Sequence, residues 1–345
     1  MQEKANAGSR RRVVCFDVIG IFSCICVLIV HFNASLCGYN GTFVYPQNGL
    51  IPSYYLDGRV YLGGLGVSMF FMLSGARLMY TYRGAKTFVI RRIQSIYPMF
   101  WIAYAAATIF DLLYYKGVGS GNPLALVFSF LGMDGYLLAL GVLATDFYKL
   151  GEWFLGCILM LYMLFPLLHA GVEKKPVLTG VLALAVYALC VRRFNEIAFF
   201  LRIPEMLFGM MFVKYDGEKH AAWLTAVSAA LLLAAWLARD LIAPLTLCIA
   251  LALFLFCLFA LVSRLIRHEG VKNALAAGSK LTYPIFLVHH WLIARMLNGF
   301  NLAYMPRRTV LMLFFAYVVL TLILSQMLMA YGDRVSRKLF RRRGA

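Results

Sequence analysis

Apolar residues in this chain come in runs of about twenty, the length a helix rising 1.5 Å per residue needs to cross a hydrocarbon core about 30 Å thick. The runs occupy 13–32, 60–81, 93–115, 150–169, 176–193, 196–214, 221–239, 241–263, 279–297 and 309–331. A further apolar stretch, 122–144, is broken by Gly132, Asp134, Gly135 and Gly141. It is expected to dip into the membrane interface without crossing. The pattern predicts an all-α polytopic membrane protein, a bundle of about ten transmembrane helices.

Composition agrees and narrows the class. With 62% of positions hydrophobic and 14% charged, and a mean hydropathy of +0.78, the chain is too apolar for a soluble globular domain. The 33 Lys and Arg outnumber the 15 Asp and Glu, giving a net charge of +18. Such an excess suits nucleic acid when it forms a patch. Here it sits in the joints between apolar runs, which makes it a topology signal and argues for a lipid bilayer and against nucleic acid as partner.

The heaviest basic joints contain Arg10 to Arg12, Arg83 to Arg92, Lys174 and Lys175, Arg264 to Lys272, and Arg334 to Arg343. The positive-inside rule then puts both termini in the cytoplasm, in a cell (inner) membrane. Counting 122–144 as a further span would carry the basic tail outside. The expected layout is a basic cytoplasmic N-terminus at 1–12, one transmembrane domain at 13–331 and a basic cytoplasmic tail at 332–345. The first run is longer than a signal-peptide core and carries Asp17 and His31, so it is expected to stay as a helix. Of eight cysteines, seven lie in apolar runs without a CxxC pair, which argues against structural zinc and a disulfide framework. The loop at 33–59, rich in Tyr, Gly, Asn and Pro, reads equally as an ordered cap over an entry and as a connector.

Ionisable groups at membrane depth need a partner, a wet cavity or a task, so they are the functional pointers. Asp17 and His31 lie fourteen residues apart on the first helix, within about 40° of one face and roughly 21 Å apart along it. A histidine held in a cavity between helices is a candidate general base, and one bonded to a neighbour at a helix end is the structural alternative. Ser74-Gly75 permits close approach of a helix or a ligand. Arg91 and Arg92 suit phosphate recognition and topology equally. Arg202 and Glu205, three apart, are expected to pair with each other. His289 and His290 are adjacent on a proline-containing helix and point about 100° apart.

Five groups of residues, in order from Phe16 to Ile293, resemble the acyltransferase 3 family of integral membrane acyltransferases. They are Asp17 with His31; Phe70-Phe71-Met72-Leu73-Ser74-Gly75; Arg92 to Pro98; Trp153 with Tyr162 and Pro166; and Ser279 with Tyr283-Pro284 and Leu287-Val288-His289. The likeness is strongest to short members that modify bacterial surface polysaccharides. It departs where Gly20 stands eleven residues before His31, a frequent arginine position. It departs again at Ser95, where a second arginine is usual, and at Ile158, which is often acidic; Glu152 is a possible substitute for that last charge.

The resemblance implies transfer of an acyl group, commonly acetyl, from acyl-CoA as donor substrate to a hydroxyl of a surface or lipid-linked glycan, with no permanently bound cofactor or metal. Arg83, Lys86, Arg91 and Arg92 would receive the nucleotide end. His31 would act as base or as acyl carrier, Ser74, Tyr162 or His289 would meet a developing oxyanion, and Asp17 completes the candidate catalytic set. Glu152, Trp153, Arg202 and Glu205 are the candidate acceptor-binding residues. A transporter or flippase of a glycan or small solute is the main rival, since intramembrane Asp, His and Arg also serve proton coupling. A non-catalytic partner in polysaccharide assembly is the third reading.

Overall fold

The computed structural model describes residues 13–37, 50, 55–56, 59–115, 123, 125–145, 147, 150, 152–302 and 305–340, the side chains of Cys37, Tyr55, Leu56, Tyr115, Glu152 and Leu339 excepted. The helices are α1 Val14–Cys37, α2 Leu62–Thr81, α3 Ala85–Tyr115, α4 Ala125–Leu131, α5 Asp134–Ala139 and α6 Glu152–Lys174. They continue as α7 Pro176–Cys190, α8 Ile203–Lys214, α9 Ala221–Leu237, α10 Pro244–Val262, α11 Glu269–Leu297 and α12 Arg307–Phe340. One short antiparallel ladder, β1 Tyr55–Leu56 with β2 Val60–Tyr61, precedes α2.

Six of these helices, α1, α2, α3, α6, α10 and α12, are long and apolar enough to cross a membrane. The chain is a multi-pass, all-α membrane protein. The run at 122–144 becomes α4 and α5, of 7 and 6 residues, about 10 Å each at 1.5 Å per residue and too short to cross. The run at 196–214 is split into a 3-10 turn, Phe199–Arg202, and the 12-residue α8. Several helices outrun their apolar stretches: α3 starts at Ala85, α11 at Glu269, and α12 continues to Phe340. Hydropathy marks where a helix is apolar. Backbone hydrogen bonding carries it on through polar residues until a breaker, such as Gly84 with φ +101°, stops it.

Large apolar side chains are exposed along one face of several helices, among them Met163 and Leu167 of α6, Val177 and Val181 of α7, and Met312 and Phe315 of α12. In water such faces would be aggregation sites; here they meet lipid. The interior is correspondingly packed by small residues and aromatics, because lipid supplies no hydrophobic drive for helix association. Gly75 of α2 lies under the Met206 carbonyl of α8, and Gly209 of α8 lies under the Met72 carbonyl of α2. The two glycines form a reciprocal contact in which a Cβ on either helix would collide with the other's backbone. The α3–α11 contact is fixed differently, by the Arg295 fork on Asp111, with Nε at 3.1 Å from Oδ1 and Nη2 at 2.9 Å from Oδ2.

Candidate functional site

A cavity of about 630 Å³ opens between α1, α2, α3, α6 and α11. Helical spacing explains which side chains reach it. Cys24, Leu28 and His31 of α1 are four and three apart; Phe70, Ser74, Arg77 and Leu78 of α2 follow the same stripe; Thr282, Ile285, Phe286, His289 and His290 of α11 repeat it. The two adjacent histidines come seven and eight residues after Thr282, so they straddle the centre of that stripe and both face the cavity.

The imidazoles of His31, His289 and His290 cluster there. Ring centroids are 5.0 Å apart for His31 and His289, 5.2 Å for His31 and His290, and 6.2 Å for His289 and His290. His289 Nδ1 faces the carbonyl oxygens of Ile285 at 3.0 Å and Phe286 at 2.9 Å. Carbonyl oxygens only accept, which assigns the proton to Nδ1 and the lone pair to Nε2. In that tautomer His289 is an acceptor at Nε2, whereas the hydroxyls of Ser74 and Tyr162, also on the cavity wall, can donate. Among the described residues no group of three or more His, Cys, Asp or Glu could hold a metal ion.

One end of the cavity is basic. Arg77 and Arg92 line it, and both also line a second cavity of about 250 Å³ with Phe16, Leu78, Tyr80 and Thr81. Arg77 Nη2 donates to the Phe16 carbonyl at 3.1 Å and to Ser279 Oγ at 2.7 Å, and lies 3.9 Å from Asp17 Oδ1. Arg92 packs its guanidinium over the rings of Phe88 and Tyr162, at 6.0 and 5.9 Å.

Elsewhere on the wall, Arg202 lies over the rings of Phe71 and Trp153, at 5.6 and 5.8 Å. Its Nη1 pairs with Glu205 Oε1 at 3.3 Å, and the two side chains are 1% and 0% exposed. The expected pairing on one helical turn is therefore present, at the junction of the 3-10 turn and α8.

The residues singled out from sequence thus divide. His31, Ser74, Arg92, Trp153, Tyr162, Arg202 and His289 surround one cavity. Glu205 backs Arg202, and Asp17 turns toward Arg77, outside the cavity wall. Arg83, Lys86 and Arg91 are exposed and do not line it. The side chain of Glu152 lies outside the described residues. Arg77, His290 and Tyr283 were not singled out as site residues. The signal for Arg77 was present, an arginine inside an apolar helix, but its partners lie on other helices.

Residues 13–330 match the model of a family described as Acyltransferase domain. Neither a curated protein nor a solved structure matches the chain.

Proposed function

The chain belongs to the acyltransferase 3 family of membrane acyltransferases, and from that premise we propose that it moves an acyl group, acetyl in the simplest case, from cytoplasmic acyl-CoA to a hydroxyl of a surface or lipid-linked glycan. The observation that carries the reading is the lining of the main cavity: Arg77 and Arg92 where it adjoins the second cavity, the histidine cluster, and Trp153 with Arg202. Gly20 of α1 lies against the Arg77 guanidinium, and His31 is eleven residues farther on, about 16 Å at 1.5 Å per residue. A donor whose phosphates bind cations and whose reactive thioester sits at the end of a long flexible arm fits that separation.

In this reading His31 removes the proton from the acceptor hydroxyl as its oxygen attacks the thioester carbonyl carbon. Charge develops on the carbonyl oxygen, where the hydroxyls of Ser74 and Tyr162 supply hydrogen bonds. The tetrahedral intermediate collapses, the C–S bond breaks, and the thiolate takes the proton from the His31 imidazolium. The acyl ester leaves on the acceptor side and CoA on the donor side. With both termini and the 83–92 joint in the cytoplasm, donor and acceptor approach from opposite faces of the membrane.

The test is transfer of label from radioactive acetyl-CoA to candidate glycans by the purified chain in liposomes. Wild type should label the glycan, and His31→Ala should lower the rate by about 10²- to 10⁴-fold, the usual contribution of a general base. Glycan movement across the bilayer without labelling would support the transporter reading. A His31→Ala variant retaining more than about a tenth of the rate would remove His31 from the chemistry.

A further inference from the structure

We propose that Arg77 is a donor-binding residue which, together with Arg92, grips a phosphate of the acyl-CoA nucleotide at the neck between the two cavities. The inference rests on the acyl-CoA reading above and adds to it a specific site that basic joints alone did not reveal.

Three observations carry it. The first is position: Arg77, Leu78 and Arg92 are the residues shared by the walls of the 630 Å³ and 250 Å³ cavities. Two cations thus stand where the two cavities adjoin, within reach of an elongated ligand that occupies both. The second is unused donor capacity. The hydrogen bonds of Arg77 to Phe16 and Ser279 both leave from Nη2, and none from Nε or Nη1 is formed within the described residues. Asp17, at 3.9 Å from that same Nη2, is beyond hydrogen-bond reach. Among the described residues Arg92 Nε is buried without a hydrogen-bond partner, and the contacts of its guanidinium are with the rings of Phe88 and Tyr162.

The third observation is the space prepared for the guanidinium. A Cβ on Gly20 would stand 3.6 Å from Arg77 Nη2, 3.6 Å from Ser279 Oγ and 3.3 Å from Leu73 Cδ2. A methyl group at position 20 would be in ordinary contact with the guanidinium, and a bulky branched side chain would compete with it for the same space. Phe16 and Ser279 fix Nη2 from α1 and α11, so the remaining N–H groups are held in a set direction while the side chain keeps 40% exposure. A planar fork fixed in this way, opposite a second arginine, matches the oxygens of a phosphate, and the double positive charge matches its double negative one.

The experiment compares acyl-CoA with S-acyl-pantetheine, which has the thioester but no phosphate, using the full chain in nanodiscs. Wild type should prefer acyl-CoA. Arg77→Gln should raise the KM for acyl-CoA by about 10- to 150-fold, the range for a lost charge-assisted contact. Its effect on S-acyl-pantetheine should be much smaller, so the preference collapses. Arg77→Lys, which restores a point charge without the fork, should recover part of the preference and guards against misreading a folding defect. Equal losses on both donors would show that Arg77 only ties α2 to α1 and α11, and would overturn the proposal, as would an unchanged KM for acyl-CoA. If wild type itself transfers from neither donor and binds no acyl-CoA, the acyltransferase reading fails with it, a result distinct from failure of Arg77 alone.

Discussion

Replacing Glu205 by leucine tests whether the Arg202–Glu205 pair is held in a low-dielectric interior. Glu205 is fully buried, Arg202 is 1% exposed, and one contact of 3.3 Å joins them. Removing one partner of a buried pair costs about 3–5 kcal/mol, because the other charge stays behind unpaired. The guanidinium left by Glu205→Leu has no escape, since arginine does not lose its proton, whereas a carboxylate left by Arg202→Met can be neutralised by taking one up. The rings of Phe71 and Trp153 already lie over the guanidinium beside an intact Glu205, so they offset none of this loss, which stays at roughly 3–5 kcal/mol.

Glu205→Leu should therefore be the more destabilising single change, and the double variant Arg202→Met with Glu205→Leu should recover most of the loss. Equilibrium unfolding of the purified variants in mixed detergent reads all three. Equal stability of Glu205→Leu and wild type would mean that the cavity hydrates Arg202 despite its low exposure, and the argument from burial would be wrong. The double variant adds a functional readout. If Arg202 contacts the acceptor from the cavity wall, the restored protein should still show a raised KM for the acceptor.

Two other outcomes follow from the packing and the topology. Gly209→Val should separate α2 from α8, costing about 1–3 kcal/mol as overpacking does and lowering transfer by displacing Ser74 and Arg77; Gly180→Ala, whose Cβ meets only Met211 Cε at 3.4 Å among the described residues, should be nearly silent in the same equilibrium unfolding. A Thr87→Cys variant in a Cys37→Ala background should resist an impermeant thiol reagent applied to intact cells, and efficient labelling from outside would reverse the donor and acceptor sides.

The sequence was most informative where the membrane leaves least choice. A polar residue inside an apolar run must face the bundle, so His31, Ser74, Tyr162 and His289 could be proposed as one group, and α1, α2, α6 and α11 do bring them to one cavity. The Arg202–Glu205 pair was equally legible, because its spacing of three residues is a single helical turn. Pairings between helices were not legible. Asp111 and Arg295 form a bidentate bridge across 184 positions, and neither position carries a sign of the other.

Spacing placed Asp17 on one helix face with His31, too far along it to touch, and carried no sign that Asp17 meets Arg77, sixty positions away on α2. The same limit explains Gly20. Along the chain it is a missing arginine by resemblance to the family, but the guanidinium lying against it in space belongs to Arg77. If the donor needs a charge at that point, either of two neighbouring helices can deliver it. Motif positions in such a bundle therefore report where a group is attached, while the chemistry depends on where it ends. If Arg77 does occupy that point for a phosphate, Gly20→Leu should raise the KM for acyl-CoA although it removes no charge and no hydrogen-bond donor. An unchanged KM for acyl-CoA in Gly20→Leu would show that the guanidinium needs no such space.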